Sequence, residues 1–181
     1  MTVKGKINWS IWIGVWTGIY VLLYLLSPLG QYGFIWCTFI ALPIYFNGGA
    51  ARKDYVPQML SSIVGVLWGV AMLAFAGRLS IWGLGTAGSN AVSCGILTIT
   101  CCFMMIIRDK LLINKVPAMF GGIAACFSQG GEHLIPLCVT LCLGVSLGLL
   151  CNEGTHFIAE NGSWMWPFKK SSQSARIRNL K

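Results

Sequence analysis

Apolar residues along this chain fall into six long blocks, and each block is separated from the next by a short polar or glycine-containing stretch. Blocks one, three, four and six are each about 20 residues long, the length that an α-helix needs to cross a hydrocarbon core of about 30 Å. Blocks two and five are shorter, and each contains a proline, Pro43 or Pro117. The blocks cover residues 8–27, 32–46, 57–76, 87–107, 116–128 and 134–151.

This pattern predicts an all-α membrane protein with six transmembrane helices, of which the second and fifth are short and interrupted. The composition agrees, because 56% of the 181 residues are hydrophobic and only 10% are charged, with a mean hydropathy of +0.71. The first block is long enough to span the membrane and has no small-residue cleavage pattern behind it. We therefore expect it to be a transmembrane helix and not a signal peptide.

The basic residues are concentrated in alternate connections. If the N-terminus is cytoplasmic, all but one of the 13 Lys and Arg residues lie on the cytoplasmic side, and Arg78 lies on the other. Lysine and arginine in short loops set the orientation of membrane proteins, so we expect a multi-pass protein with both termini in the cytoplasm. The net charge of +8 then reflects topology and requires no nucleic-acid partner. The cytoplasmic set is Lys4, Lys6, Arg52, Lys53, Arg108, Lys110, Lys115, Lys169, Lys170, Arg176, Arg178 and Lys181.

Two segments of the chain resemble each other. "YFNGGAARKDYVPQMLSSIVGVLWG" and "FSQGGEHLIPLCVTLCLGVSLG" each contain an amide followed by two glycines, then a proline, then two glycines four residues apart. Since each half would contain three spans, an odd number, the second half must enter the membrane from the opposite side. The sequence therefore predicts two inverted three-helix repeats, residues 1–83 and 84–159, followed by a cytoplasmic juxtamembrane tail, residues 160–181. The matching residues are Pro57, Gly65 and Gly69 in one half and Pro136, Gly144 and Gly148 in the other.

Short or interrupted helices at matching positions of two inverted repeats form the substrate site in many transporters. We therefore expect the second and fifth helices to meet around a solute path. Glu132 and His133 are weaker candidates for its outer mouth, and the whole second motif can also be interpreted as a solvated turn. The candidate path residues are Thr38, Tyr45, Asn47, Gly48, Gly49, Ser128, Gln129, Gly130 and Gly131.

Pairs of small residues one helical turn apart predict close helix packing. We assign this role to the pairs Gly14 and Gly18, Gly65 and Gly69, and Gly144 and Gly148. The first helix also carries an aromatic stripe with a spacing of four residues, which we expect to pack on a neighbouring helix or a second subunit, with pore lining as the alternative. The stripe consists of Trp12, Trp16, Tyr20 and Tyr24.

The sequence gives little support for catalysis or for a cofactor. His133 and His156 fall on opposite sides in the predicted topology, and neither has a nucleophile beside it. The eight cysteines lie in apolar blocks without the spacing of a metal site. We therefore expect no enzyme activity, no metal and no cofactor.

Every Lys, Arg, Asp and Glu lies at the end of a block or outside the blocks. Ion-coupled carriers usually keep an ionisable residue inside the membrane, so this distribution favours a channel or facilitator for a small neutral or weakly polar solute. An ion-coupled carrier that uses backbone carbonyl groups stays open as an alternative. A non-transporting membrane assembly or scaffold protein is the other alternative.

The segment "KLLINKVPAMFGGIAACFSQGG", with "LIPLCVTLCLGVSLG" after it and "FNGG" before it, resembles the domain-of-unknown-function 1097 family of small bacterial inner-membrane proteins. This resemblance implies a six-span protein of the bacterial plasma membrane and no proven substrate. In size and architecture the chain is also loosely similar to the algal low-CO2-inducible plasma-membrane channel, which is trimeric. By that analogy we expect a homo-oligomer, with a trimer favoured.

Overall fold

The computed structural model describes residues 1–107 and 112–165, and these residues fold almost entirely into α-helix. Each of the six apolar blocks corresponds to one helix, so the predicted all-α fold class is confirmed. The fifth helix begins and ends at the predicted residues. The six helices are α1 (Val3–Leu26), α2 (Ile35–Asn47), α3 (Tyr55–Leu79), α4 (Gly85–Ile107), α5 (Val116–Ser128) and α6 (Leu134–Glu153).

Three stretches of the described chain are long and apolar enough to cross a membrane: Val3–Leu26, Arg52–Phe103 and Leu134–Phe157. The middle stretch has 52 residues and contains α3 and most of α4. A straight helix of that length would measure about 78 Å, more than twice a bilayer core of about 30 Å. Gly83 (φ 90°) and Gly85 (φ 68°) break it, since this left-handed conformation is incompatible with a continuing helix and costs glycine little.

Helices α2 and α5 are short, as predicted, with 13 residues each, or about 20 Å of helix. Their prolines differ in position. Pro43 lies inside α2, which continues past it. Pro117 lies in the first turn of α5, where a missing N–H group removes no helical hydrogen bond. Each of the two is one continuous helix, so the prediction that the second and fifth helices are interrupted at their prolines is wrong.

The chain divides into two compact units, and one of them combines Met1–Tyr20 with the residues after Leu149. In this unit the indole N–H groups of Trp9 and Trp12 donate to the carbonyl oxygens of Cys151 and Leu150, each at 3.1 Å. The side chain of Asn8 donates to the carbonyl of Gly162 at 2.8 Å. These bonds hold the first part of α1 beside the end of α6.

The aromatic stripe of α1 begins in the same unit. Trp12 packs against Trp16, Phe157 and Trp164, with ring centroids 5.6, 5.5 and 6.2 Å apart. Trp12 thus packs within its own unit, whereas the packing of Trp16 and Tyr20 on a neighbouring helix or a second subunit stays a prediction.

The predicted tail lies mostly beyond the described residues, which end at Met165. Apart from Trp164, the aromatic and basic residues of the tail are outside the described part, as are two basic residues of the connection between α4 and α5. They are Trp166, Phe168, Lys169, Lys170, Arg176, Arg178, Lys181, Arg108 and Lys110.

The other unit, Val21–Leu149, has helix ends that recur at constant intervals. The last residues of α1 and α4 are 81 residues apart, and so are the first residues of α2 and α5 and the last residues of α2 and α5. The first residues of α3 and α6, Tyr55 and Leu134, are 79 residues apart. The connection before α6 is therefore two residues shorter than the one before α3.

Helices α3 and α5 run in the same direction and pack with their backbones almost in contact. A Cβ atom on Gly65 would overlap the backbone of Met119, and one on Gly69 would lie 2.7 Å from the Cβ of Cys126. A Cβ atom on Gly122 would overlap the carbonyl oxygen of Ser62. We call this contact the α3–α5 seam.

Helices α2 and α6 form a second parallel contact, which we call the α2–α6 seam. A Cβ atom on Gly144 would lie 2.8 Å from the Cα of Thr38, and one on Gly148 would lie 2.9 Å from the ring of Tyr45. The two seams use matching residues. Gly65 and Gly144 are 79 residues apart, and Met119 and Thr38 are 81 apart, the same intervals that separate the starts of their helices.

Helices α2 and α5 meet as predicted and run in opposite directions. The ring of His133, which follows α5, lies 6.3 Å from that of Phe34, which precedes α2. At the crossing, a Cβ atom on Gly121 would lie 3.3 Å from Ile40 and 2.9 Å from Ile44. Gly121 and Ile40 are themselves 81 residues apart, so residues in matching positions touch each other here.

Candidate functional site

The turn that ends α2 contains three of the predicted path residues, Asn47, Gly48 and Gly49. The N–H of Ala50 donates to the carbonyl of Tyr45 at 3.0 Å, and the N–H of Gly49 donates to that of Phe46 at 2.9 Å. Gly49 (φ 86°) and Ala50 (φ 47°) are both left-handed. This hydrogen-bond pattern closes the helix by capping its last carbonyl groups.

The turn that ends α5 has the same hydrogen bonds. The N–H of Gly131 donates to the carbonyl of Cys126, and that of Gly130 donates to Phe127, each at 3.1 Å. Gly130 (φ 61°) and Gly131 (φ 84°) are left-handed. Gly130 and Gly131 therefore match Gly49 and Ala50 of the first turn.

The two amides do not occupy matching positions in these turns. Asn47 is the last residue of α2, whereas Gln129 follows the last residue of α5, which is Ser128. An alignment that matches Asn47 with Gln129 is therefore wrong by one residue, because Asn47 and Ser128 occupy the same position at the ends of their helices. The element that recurs is the left-handed pair.

The predicted path residues differ in exposure. The five at the helix ends are exposed and Gln129 and Gly131 are half-buried, so each turn is accessible from its own end of the unit. Thr38 and Tyr45 are fully buried in the α2–α6 seam, where Tyr45 also donates to the carbonyl of Ala51 at 3.0 Å. In this structure Thr38 and Tyr45 are packing residues. The five exposed residues are Asn47, Gly48, Gly49, Ser128 and Gly130.

Glu132 and His133, the predicted outer mouth, are both exposed. His133 has a φ of 49°, and its ring lies 5.4 Å from the ring of Tyr32. The imidazole therefore packs against aromatic rings at the start of α2 while remaining accessible from outside the protein.

The glycines predicted to pack helices divide into two groups. Gly65, Gly69, Gly144 and Gly148 lie in the two seams. Gly14 and Gly18 have no atom within 4 Å of where a Cβ atom would be, and this part of α1 has a largely exposed surface. Their packing role stays a prediction.

A buried polar cluster at the start of α3 is not among the predicted residues. Gln58 is 3% exposed, and its Nε2 atom has no hydrogen-bond partner among the described residues. Ser61 accepts a hydrogen bond from the N–H of Lys115 at 3.1 Å, and the Oδ1 atom of Asn114 is buried without a described partner. The signal was present in the sequence, since Gln58 and Ser61 lie one helical turn apart within an apolar block.

The charged residues beside this cluster are paired with each other. Lys115 Nζ lies 2.7 Å from the Asp54 carboxylate, and their side chains are about one-quarter exposed. This pair places the start of α5 beside the start of α3. It also brings Lys115 to the same end of the unit as Arg52 and Lys53, as the predicted topology requires.

A cavity of about 240 Å3 lies between α3, α4 and the end of α5. Its lining is mainly apolar, with the polar groups of Asn90 and Ser93 on one wall. Leu73 connects it to the Gln129-Gly130-Gly131 turn, because a Cβ atom on Gly131 would lie 3.2 Å from the Leu73 side chain. The lining residues are Met72, Leu73, Ala76, Asn90, Ser93, Cys94 and Phe127.

The polar groups at the two ends of α5 suit hydrogen bonding to an uncharged molecule. Amides and hydroxyls donate and accept hydrogen bonds without carrying charge. Ser89, the residue before Asn90, also has a buried hydroxyl with no described partner. Polar atoms without described partners therefore occur beside the start of α5 and in α4, next to a residue that lines the cavity.

Residues 10–156, most of the chain, match the family described as "Protein of unknown function (DUF1097)". Comparison with curated proteins and with solved structures gives no match.

Proposed function

This chain belongs to the DUF1097 family, and on that premise we propose that it is an integral membrane channel or facilitator for a small neutral or weakly polar solute. In this proposal it crosses the bacterial inner membrane six times, as two inverted three-helix repeats with both termini in the cytoplasm. It acts as a homo-oligomer. The observation that carries the proposal is the position of α5, which joins a buried polar cluster at its start to a cavity at its end.

The recurring helix ends and seams support the inverted repeats. Helices α2 and α5 run in opposite directions, and each packs in parallel on the third helix of the other half. Matching residues, Ile40 and Gly121, touch where these two helices cross. A pseudo-two-fold axis through that crossing accounts for all three features.

The two polar regions support a path along the α3 side of α5. At one end Gln58 and Asn114 offer hydrogen-bonding atoms without described partners. At the other end the cavity holds Asn90 and Ser93. Between them the α3–α5 seam is closed by backbone contact at Gly65 and Gly122. A solute that followed this path would need the seam to open, so the proposal is a gated facilitator and not an open pore.

Swelling of proteoliposomes tests this function. We expect vesicles that contain the protein to admit urea, acetamide or glycerol faster than empty vesicles do. N-ethylmaleimide should slow this uptake by modifying Cys94 in the cavity, and Cys94→Ala should remove the inhibition. Cys102→Ala, which changes a similarly exposed cysteine of α4 outside the cavity lining, is the matched control. Permeability no higher than that of empty vesicles for every solute would overturn the proposal.

A scaffold function is the second candidate, and the exposed apolar surface of α1 around Gly14 and Gly18 favours it. The replacement of Asn47 and Gln129 by Leu separates the two. A facilitator should lose uptake if these turns line its entrances, whereas a scaffold should retain its oligomer and any bound partner. Uptake that depends on a sodium or proton gradient would instead indicate an ion-coupled carrier.

A further inference from the structure

The buried end of Gln58 is an unusual feature in a chain of this composition. The side chain is 3% exposed and its Nε2 atom has no described hydrogen-bond partner. Burying a polar group without a partner lowers stability. A leucine at this position would avoid that cost, so the amide needs another explanation.

The other half of the unit contains that leucine. Position 137 lies 79 residues after Gln58, the interval that separates the starts of α3 and α6, and it is a fully buried Leu137. The next two positions on this helix face are Ser61 and Ser62 in α3, against Thr140 and Leu141 in α6. The packing recurs between the halves, but the buried amide occurs only in α3.

A second buried amide atom lies in the segment that contacts the same face of α3. Ser61 is one turn after Gln58 on the same face of α3 and accepts the hydrogen bond of the Lys115 N–H at 3.1 Å. Asn114, the residue before Lys115, has a buried Oδ1 atom without a described partner. An amide donor and an amide acceptor are thus both held beside the same contact between α3 and the start of α5.

The two charged residues described beside this contact neutralise each other, because Lys115 and Asp54 form an ion pair at 2.7 Å. One turn further along α3, Gly122 of α5 approaches the backbone of Ser62 too closely to leave room for a Cβ atom, so the two helices close the site on that side. We therefore expect a ligand here to be small and uncharged.

We infer that Gln58 and Asn114 form a binding site for a small neutral molecule that carries both a hydrogen-bond donor and an acceptor, of the amide or urea class. This inference rests on the proposed function, since it assigns the solute class and a binding site at one end of the proposed path. Gln58 donates to the carbonyl oxygen of the ligand, and Asn114 accepts from its N–H group.

Saturation-transfer NMR on the full-length protein in detergent tests the site. Acetamide and urea should bind saturably, with dissociation constants on the order of millimolar, as expected for so few ligand atoms. N,N-dimethylacetamide, which has no N–H donor, and methylammonium, which is charged, should bind at least tenfold more weakly. Equal signals for all four compounds, or no saturable signal for acetamide and urea, would overturn the inference.

The decisive variant is Gln58→Leu, which introduces the residue found at the matching position in α6. We expect it to fold, to have a higher melting temperature and to lose acetamide binding at least tenfold. Ser62→Ala is the matched control, since the Ser62 hydroxyl donates within its own helix to the carbonyl of Gln58 at 3.0 Å, and it should retain binding. Unchanged acetamide binding in Gln58→Leu would overturn the assignment. If Gln58→Leu does not fold, Asn114→Leu must show the same loss.

Uptake measurements distinguish the two proposals from each other. If wild-type vesicles admit acetamide and Gln58→Leu does so equally well, the facilitator stands and this site is wrong. If no solute enters but Gln58→Leu abolishes a saturable binding signal, the site stands and the facilitator is wrong.

Discussion

Gly144 of α6 lies directly on the backbone of Thr38 in α2, so that a Cβ atom on the glycine would be 2.8 Å from the Thr38 Cα. Gly65 of α3 lies in the same way on Met119 of α5. Each seam joins a short helix from one half to the third helix of the other half. The two halves are thus held together by interlocking contacts and not by a single interface.

We expect alanine at either seam glycine to destabilise the protein. Gly65→Ala and Gly144→Ala each force two helix backbones apart, and overpacking of this kind costs about 1–3 kcal/mol or more. Gly95→Ala, in a part of α4 with no atom within 4 Å, is the control and should be neutral or stabilising by up to about 1 kcal/mol. Melting temperatures in detergent measure all three, and equal stability of Gly65→Ala and the wild type would contradict the seam.

The two turns should respond differently to substitutions at their matching left-handed positions. Gly131→Ala puts a Cβ at φ 84° and 3.2 Å from Leu73, so we expect a loss of about 1–2 kcal/mol. Ala50→Gly removes the strain of a left-handed alanine (φ 47°), but it also removes a buried methyl group that contributes about 0.8 kcal/mol. The variant should therefore be close to neutral in stability. Thermal unfolding of both variants tests this. A larger loss of stability in Ala50→Gly than in Gly131→Ala would contradict the prediction.

The hydrogen bond between Tyr24 and Thr140 should contribute to stability. The Thr140 hydroxyl donates to the Pro136 carbonyl at 2.8 Å, so Tyr24 must be the donor in the 2.9 Å bond between the two hydroxyls. We expect Tyr24→Phe to cost about 0.5–1.5 kcal/mol. A double-mutant cycle with Thr140→Val should give a coupling energy of similar size, and a coupling energy near zero would contradict the bond. Thr100→Val, whose hydroxyl bonds to its own helix on an exposed face, is the control.

Cysteine labelling tests the inverted arrangement. Lys53 and Glu132 are exposed and lie after α2 and after α5, at opposite ends of these antiparallel helices. In intact cells an impermeant maleimide should label Glu132→Cys, whereas Lys53→Cys should react only after permeabilisation. The wild-type chain is the control for its eight native cysteines. Labelling of both variants from the same side would show that the two turns face one compartment.

The open glycines of α1 test the predicted homo-oligomer. If Gly14 and Gly18 pack on a second copy, then Gly14→Leu and Gly18→Leu should shift the protein to monomer in native mass spectrometry. The monomer itself should keep its stability, because no described atom lies within 4 Å of a Cβ atom at either position. Leu23→Ala lies on the opposite side of the helix from Gly14 and should leave the oligomer intact. An unchanged oligomer in both glycine variants would rule out this contact.

The sequence by itself determined the six helices and, except for the start of α1, placed their limits within about three residues, because long apolar blocks must leave water and the glycines and polar residues between them favour turns. It also identified Gly65, Gly69, Gly144 and Gly148 as packing residues, since small residues one turn apart have few other uses in such helices. Only the tertiary structure decided which helices these glycines meet, the one-residue displacement of Asn47 from Gln129, and the burial of Thr38, Tyr45 and Gln58. Those outcomes depend on contacts between distant segments, and local patterns carry no information about which helix faces meet.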